Sequence, residues 1–441
     1  MRDNDTIFAL SSAPGRAAIA VVRVSGPEAG AAVAALTGRK QIPPRQAVFA
    51  RLRDRHAVLI DEALVLWFPA PVSETGEDVA EFQTHGGCAV VEAVLAALAA
   101  VPGLKPAGPG AFTRRAVENG KLDLTGAEGL IDLIDAETEA QRRQALRQMG
   151  GALAKLYDGW RARLIRASAW AEASIDFSDE EVPEDAEAEA RAATEGILKE
   201  IQSHLGDSHR GELIRDGLYI TVIGRPNSGK STLVNALARR DVAIVAETPG
   251  TTRDVVEVRM DLGGYAVTLA DTAGLREAAE AVEAEGVRRA LARAEAADIV
   301  VLVLDGTAAE PFDGIPPEAR ARASLTVWNK ADLGFPAPRE GLKLSAKTGE
   351  GIPALVGALT GLVRDRLAGA GEAPVLTRAR HRQALEEAAA ALARALQAPP
   401  DSPELMAEDM RLALRSLGRI TGRVDVEELL DVVFRDFCIG K

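Results

Sequence analysis

Eight consecutive residues, Gly224-Arg225-Pro226-Asn227-Ser228-Gly229-Lys230-Ser231, fit the spacing GxxxxGK[ST]. In that pattern glycines let backbone N–H groups turn inward around phosphates, and the following helix adds its partial positive charge. Lys230 is placed to reach the β- and γ-phosphates of a nucleotide, and Ser231 to ligate Mg²⁺, with Thr232 next along the helix start. Unrelated chains match this pattern by chance, so its weight depends on what lies downstream. Asp271-Thr272-Ala273-Gly274 closes an apolar run, where the carboxylate can hold Mg²⁺ through water and the Gly274 N–H can sense a γ-phosphate. Between these motifs lies Thr251-Thr252-Arg253-Asp254, and Thr252 is expected to ligate Mg²⁺ only while the γ-phosphate is present. Asn329-Lys330-Ala331-Asp332 closes a further apolar run. A carboxylate at Asp332 accepts from guanine N1–H and from the exocyclic amino group. Adenine offers neither, and sites built this way discriminate by about 10⁴–10⁵. Ser345-Ala346-Lys347 supplies the loop at the base edge. In this order the motifs predict binding of GTP.

Hydrolysis is less simply provided for. Ras-like enzymes orient the attacking water with a glutamine just after the DxxG motif. Here that position is Leu275, which has no polar atom to offer. The downstream groups able to orient water are Glu277, Glu280, Glu283 and Glu285, unless these only coat a solvated helix. The charge of the transition state also needs a cation, a service that an arginine finger renders elsewhere at about 10³–10⁵ in rate. An oxygen of Asn227 offers a substitute by ligating a monovalent cation beside the β- and γ-phosphates.

Regular elements must carry these loops. Between 218 and 367, apolar runs at 218–223, 267–270, 299–304, 325–328 and 342–344 alternate with helical stretches. That alternation predicts a mostly parallel sheet covered on both faces. Ahead of it, residues 1–118 read as an α+β domain, with strands over 18–24 and 63–68, a helix over 88–100 and a loop over 103–110. Helical spacing then runs to about residue 203, with one apolar stripe through Leu146, Met149, Leu153, Leu156, Trp160 and Leu164 read as bundle core. The acidic stretch 176–189 reads as a solvated loop and helix start, against the alternative of a cation site. Residues 368–374 read as a linker, and helix resumes to the C-terminus. The expected boundaries are 1–118, 119–214, 215–367 and 368–441, with the nucleotide domain inserted into a helical domain made of two segments.

The chain of 441 residues carries a net charge of −13, and so acidic a protein does not coat nucleic acid non-specifically. Any RNA contact must be local. Two arginine-rich stretches qualify, Arg142, Arg143 and Arg147, and Arg378, Arg380 and Arg382 with His381, against the plainer reading of solvated helix faces. Cys88 and Cys438 are too few for a disulfide framework and fit a reducing cytoplasm. No membrane span is expected, since no run of eighteen apolar residues occurs, and the N-terminus lacks the apolar segment of a signal peptide.

Along its full length the chain resembles the MnmE (or TrmE) family of bacterial tRNA-modification GTPases. The resemblance rests on Asp5-Thr6-Ile7, Pro14-Gly15-Arg16, Val21-Val22-Arg23-Val24-Ser25-Gly26, Thr75-Gly76-Glu77-Asp78 and His85-Gly86-Gly87. It continues through Asn119-Gly120-Lys121-Leu122-Asp123-Leu124, Ile175-Asp176-Phe177, Gly274-Leu275-Arg276 and the terminal Phe437-Cys438-Ile439-Gly440-Lys441. It implies an N-terminal domain similar to tetrahydrofolate-binding domains that dimerises, a discontinuous helical domain and an inserted Ras-like P-loop G domain. In the family the G domains of a homodimer meet when GTP and K⁺ are bound, which activates hydrolysis without a separate activating protein. By that resemblance Asn227, Ala246, Thr248 and Thr251 cradle K⁺, within the nucleotide-binding loop Ala246-Glu247-Thr248-Pro249-Gly250-Thr251. The family often has Thr at the position of Ala246, where a main-chain carbonyl is left to ligate. Glu283 aligns with the family's catalytic glutamate, which orients the attacking water.

Arg23, Glu81, Lys121 and Lys441 match folate-contacting positions; without the resemblance each would read as a surface charge. The implied one-carbon donor is 5,10-methylene- or 5-formyl-tetrahydrofolate. The family works in a heterotetramer with flavin-containing MnmG on the wobble uridine of certain tRNAs, installing an aminomethyl or carboxymethylaminomethyl group at carbon five. Cys438 resembles a reactive residue beside the folate site, against the alternative of a small buried thiol. Two other functions compete. A ribosome-assembly GTPase of the Era type calls for a second G domain, or a KH module with GxxG after the G domain, and neither is visible in this sequence. A structural dimer that only reports nucleotide state would bind GTP without K⁺-stimulated turnover.

Overall fold

The computed structural model describes residues 5–176, 184–207, 209–240, 242–244, 257–271, 294–337, 339–368, 374–399, 402–424, 430, 433–434 and 437–440. Contacts divide the chain into two units, 1–131 with 149–166 and 410–441, and 132–148 with 167–409. Among the described residues no helix is long and apolar enough to cross a membrane.

In the first unit, strands β1 (Thr6–Leu10), β2 (Ala17–Ser25), β3 (Val48–Arg53), β4 (Leu59–Phe68), β5 (Val79–Gly86) and β6 (Leu104–Pro106) form one sheet in the order β3-β4-β5-β2-β1-β6. Alternation sends Val22, Val24, Val65 and Phe82 to one face, where α1 (Ala29–Thr37) and α2 (Cys88–Ala99) bury them. Phe49 and Leu64 stand opposite each other in register and are exposed. The expected loop at 103–110 is in part a strand, because β6 pairs parallel with β1 and seats Leu104 in the core. Helices α3 (Ala111–Glu118) and α4 (Leu124–Ile134) follow. Helix was expected to run to Lys441, but residues 437–440 are not helical. Phe434 and Phe437 pack with Leu124 and Ala127, and Ile439 bridges to Pro109. Gly440 then lies so close to β1 that a Cβ would meet the Leu10 carbonyl oxygen at 2.0 Å.

The second unit takes in α5 (Glu139–Met149), part of α6 (Ala152–Asp176), α7 (Glu184–Leu205) and α8 (Arg210–Asp216). Strands β7 (Leu218–Ile223), β8 (Glu257–Asp261), β9 (Ala266–Asp271), β10 (Ile299–Asp305), β11 (Leu325–Asn329) and β12 (Leu342–Lys343) then pair in the order β12-β11-β10-β7-β9-β8. All pairs are parallel except β8 with β9. Buried clusters lie on the two faces, one under α9 (Lys230–Ala238) and α11 (Ile352–Leu367), the other under α10 (Pro317–Ala321). Helix α12 (Ala379–Gln397) packs on α7, and α13 (Pro403–Thr421) begins in this unit and belongs to the first from Met410 on.

Several expectations need correction. Strand β8 was not foreseen, although Val258 and Met260 alternate with Glu257, Arg259 and Asp261 as a half-buried edge strand does. The apolar stripe is broken at Gly150-Gly151, where α5 ends and α6 begins. Leu153, Trp160 and Leu164 are buried, but Leu146 is 38% exposed. The second arginine-rich stretch is not a solvated face, since His381 is buried and Arg378 and Arg382 are held in ion pairs. Of the acidic stretch 176–189, residues 177–183 lie outside the described residues, as do 369–373 of the expected linker.

Candidate nucleotide site

The phosphate loop leaves the C-terminal end of β7, a central strand, and enters α9. In a parallel sheet this end, beside the point where the strand order reverses, is where ligands are received. Gly224 has φ +154°, and a Cβ there would lie 2.2 Å from the Val303 carbonyl oxygen of β10. Asn227 holds φ +61°, a conformation that Asn tolerates through its short polar side chain, and its side chain is exposed at the loop rim. Gly229 precedes α9 with φ +92° and no side-chain cap, so the first N–H groups of the helix are open to an anion. Lys230 Nζ donates to the Gly224 and Arg225 carbonyls at 3.0 and 2.8 Å, which draws its ammonium over the loop. Ser228 Oγ is buried without a hydrogen-bond partner. Ser231 and Thr232 are exposed on the first turn of α9. This cradle of open N–H groups, hydroxyls and one ammonium fits a polyphosphate with its Mg²⁺.

The base loop is tied to this loop by one side chain. Asn329 is 2% exposed at the end of β11. Its Nδ2 donates to the Ser228 carbonyl at 2.8 Å, and its Oδ1 accepts the Ala346 N–H at 2.9 Å. One residue thus joins the phosphate loop, the Asn329–Asp332 loop and the Ser345–Lys347 loop. Gly229 matters here again, because a Cβ would fall 2.2 Å from Asn329 Nδ2. The exposed Asp332 accepts the Ser345 hydroxyl on Oδ1 at 2.6 Å, which orients its carboxylate. Lys347 is exposed beside the buried Ala346.

One residue of this site escaped the sequence reading. Asp305 ends β10 in register with Asn329 and accepts Lys330 Nζ at 2.6 Å. Its other oxygen takes the Thr307 hydroxyl and N–H at 2.6 and 3.0 Å. Burial pushes the Asp305 carboxyl up, but the hydrogen bonds from Lys330 and Thr307 outweigh this and hold it below its usual value. The available signal was the one used for Asp271, a carboxylate closing an apolar run.

Asp271 ends β9 with its backbone in register with Val222 of β7, next to the phosphate loop. The segment preceding residue 245 pairs with β8, through Ile244 N–H to the Arg259 carbonyl at 2.8 Å. Ala246, Glu247, Thr248, Pro249, Gly250, Thr251, Thr252, Thr272, Ala273, Gly274 and Glu283 lie outside the described residues.

In the first unit, the residues matched to folate contacts cluster in part. Arg23 Nε donates to Glu81 Oε1 at 3.0 Å, its guanidinium also pairs with Glu74, and it lies over the Phe112 ring at 5.8 Å. Lys121 Nζ donates to the Pro71 carbonyl at 2.7 Å. Glu77 joins Ser25 and Arg115 at 2.8 Å each, so the segment 71–78 is fastened to β2 and α3. This mixed cluster, with carboxylates beside an arginine over an aromatic ring, has the chemistry to meet a pterin-like ring with donor and acceptor edges. Lys441 lies outside the described residues. Cys438 is exposed rather than a small buried thiol, and its carbonyl accepts the Gly110 N–H at 3.3 Å.

Comparison with known proteins gives two family profiles. "GTP-binding protein TrmE N-terminus" matches residues 6–121, and "MnmE helical domain" matches residues 124–438. A protein of Parvibaculum lavamentivorans named tRNA modification GTPase MnmE is 59% identical over 99% of this chain and 100% of its own length. A protein of the same name from Paramagnetospirillum magneticum is 54% identical over 99% of this chain and 100% of its own. Among solved structures, the G domain of the T. maritima FeoB iron transporter matches 33% of this chain and 98% of its own at 24% identity, with a TM-score of 0.27.

Proposed function

This chain belongs to the MnmE family of tRNA modification GTPases, and from that premise we propose that it is the K⁺-stimulated, GTP-hydrolysing component of wobble-uridine C5 modification. Its partners in this reading are a second copy of itself, flavin-containing MnmG and tRNA, in the cytoplasm. The observation that carries the reading is the Asn329 strut, which joins a phosphate loop, a carboxylate for the base and the base-edge loop into one nucleotide site. The full-length family match leaves the Era-type alternative without support.

Each group of the chain then has a role. Lys230, Ser228, Gly229 and Thr232 bind the phosphates, Asp332 selects guanine, and Lys330, Ala346 and Lys347 line the base. Ser231 and Thr252 ligate Mg²⁺, with Asp271 acting through water. Asn227, Ala246, Thr248 and Thr251 hold K⁺. Mg²⁺ and K⁺, when bound, neutralise charge that develops on the transferring phosphoryl group. Glu283 orients the attacking water, a duty Leu275 cannot perform. The exposed pair Phe49 and Leu64 supports dimerisation through the N-terminal sheet. Arg23, Glu81 and Lys121, with Lys441, receive a tetrahydrofolate (5,10-methylene or 5-formyl), and the exposed Cys438 stands as a reactive thiol beside it.

The test is steady-state phosphate release in K⁺ and in Na⁺, with Asn227→Lys and Glu283→Ala alongside. The proposal expects K⁺-dependent turnover that collapses in both variants, and equal turnover in the two salts would refute the K⁺ claim. Nucleoside analysis of tRNA from a strain lacking the gene addresses the substrate. Unchanged wobble uridines would reject the tRNA role.

A further inference from the structure

Two arginine-rich stretches were candidates for a local RNA contact, and the structure separates them. Arg378 pairs with Asp132 at 2.6 Å, and Arg382 pairs with Asp207 and Glu212 at 2.8 and 3.4 Å. Their side chains are only 19% and 13% exposed, so these charges are spent on holding the helices together. Arg142 and Arg143, in the first turns of α5, are instead 50% and 71% exposed. With Arg147, Leu146 and Tyr265 they line an open cleft of about 730 Å³. One wall is the turn Gly263-Gly264 between β8 and β9, where both residues have positive φ and no Cβ shields the backbone. Arg364 of α11 lies close to Gly263. The turn is fastened to α5 by the Ala140 N–H, which donates to the Gly264 carbonyl at 3.0 Å.

The charge balance of this cleft is opposite to that of the chain. Three arginines and one carboxylate, Glu139, line it, in a protein of net charge −13. Glu139 accepts Arg142 at 2.8 Å and Arg143 at 2.6 Å. These surface pairs are worth little and are exchanged readily for a phosphate, which arginine forks match in two hydrogen bonds. The exposed Leu146 and the Tyr265 ring add apolar area of the kind on which an unpaired base rests.

We propose that this cleft is where the chain docks RNA, the arginines of α5 taking backbone phosphates and Tyr265 with Leu146 supporting a base. The inference rests on the tRNA reading above and adds to it a surface on this chain. It places the RNA against the turn whose two strands lead from the segment before residue 257 and into the Asp271 motif, so that an RNA contact and the nucleotide site share one hairpin.

The test uses the full-length protein and fluorescein-labelled tRNA, with anisotropy titrations across a range of KCl concentrations. The triple variant R142Q/R143Q/R147Q is expected to weaken binding at least tenfold near 0.1 M salt. It should also flatten the slope of log affinity against log salt by about 2, three contacts at about 0.7 each. Glu139→Gln removes the competing carboxylate and is expected to tighten binding at least threefold, which loss of a structural helix pair would not do. Thermal melts and guanine-nucleotide affinity are expected to stay at wild-type values. Unchanged tRNA affinity and slope in the triple variant overturn the cleft alone. Failure of the wild-type chain to bind tRNA at all overturns the cleft together with direct RNA contact.

Discussion

Replacing Asn329 with Ala removes a side chain that joins the phosphate loop to both base loops. The change strips a partner from the Ser228 carbonyl and from the Ala346 N–H, bonds of 2.8 and 2.9 Å at a residue only 2% exposed. A buried polar group left without a partner costs about 1–3 kcal/mol, so two cost about 2–6 kcal/mol. The site opens to solvent, water can reach one of the groups, and the lower part of the range applies. A loss of about 2–3 kcal/mol in the aligned state corresponds to about 30- to 150-fold weaker nucleotide binding. The assay is titration of a fluorescent GDP analogue, with a thermal melt of the same sample to separate binding from unfolding. Affinity within threefold of wild type, at an unchanged melting temperature, would refute the claim that Asn329 couples the loops.

Other outcomes follow from the same geometry. Asp305→Asn and Lys330→Ala should each weaken guanine-nucleotide binding, and Asp305→Asn should add nothing once Lys330 is gone, because the carboxylate acts through that ammonium; additive losses in the cycle would exclude this route. Gly224→Ala puts a Cβ 2.2 Å from the Val303 carbonyl oxygen and should destabilise the fold by more than about 2 kcal/mol in chemical denaturation, so a wild-type midpoint would contradict the packing. Burial holds His204 below the ordinary 6.5, helped by Arg382 and His381 and opposed by Asp207. The unfolded chain therefore takes up this proton first, and the contribution to stability is complete above about pH 6.5 and lost as the pH falls from there toward the folded value. The melting temperature of His204→Gln should thus decline less steeply than that of wild type from about pH 7.5 to 5.5, and parallel slopes would rule the group out.

The nucleotide site was legible because its chemistry demands fixed residue types at fixed spacing. A loop that wraps phosphates needs glycine where φ is positive, and Gly224 and Gly229 supply it. A guanine reader needs a carboxylate at a strand end, and Asp332 stands one short turn beyond β11. Asp305 carried the signal of a carboxylate closing an apolar run, but its role comes from register with Asn329 across two parallel strands, which sequence spacing does not encode. Strand β8 carried an alternating signal, but five residues of alternation are weak beside the long apolar runs of the central strands. Arg378 and Arg382 looked like surface charge because their acidic partners, Asp132, Asp207 and Glu212, lie far away in the chain. In the same way the place of the C-terminal tail against β1 depends on Gly440 fitting under Leu10, a contact between opposite ends of the sequence.

The central claim is a GTP-hydrolysing site whose base is chosen by Asp332, and base-swap kinetics test it most directly. An Asn amide at that position donates where the carboxylate accepted, which suits the 2-oxo group of xanthine instead of the 2-amino group of guanine. Phosphate release should be measured for wild type and Asp332→Asn with GTP, XTP and ATP in K⁺ buffer. The account predicts that wild type hydrolyses GTP and neither XTP nor ATP, and that Asp332→Asn loses at least 100-fold on GTP while gaining XTP hydrolysis. A variant that keeps its GTP turnover, or a wild-type protein that hydrolyses ATP as well as GTP, would contradict it.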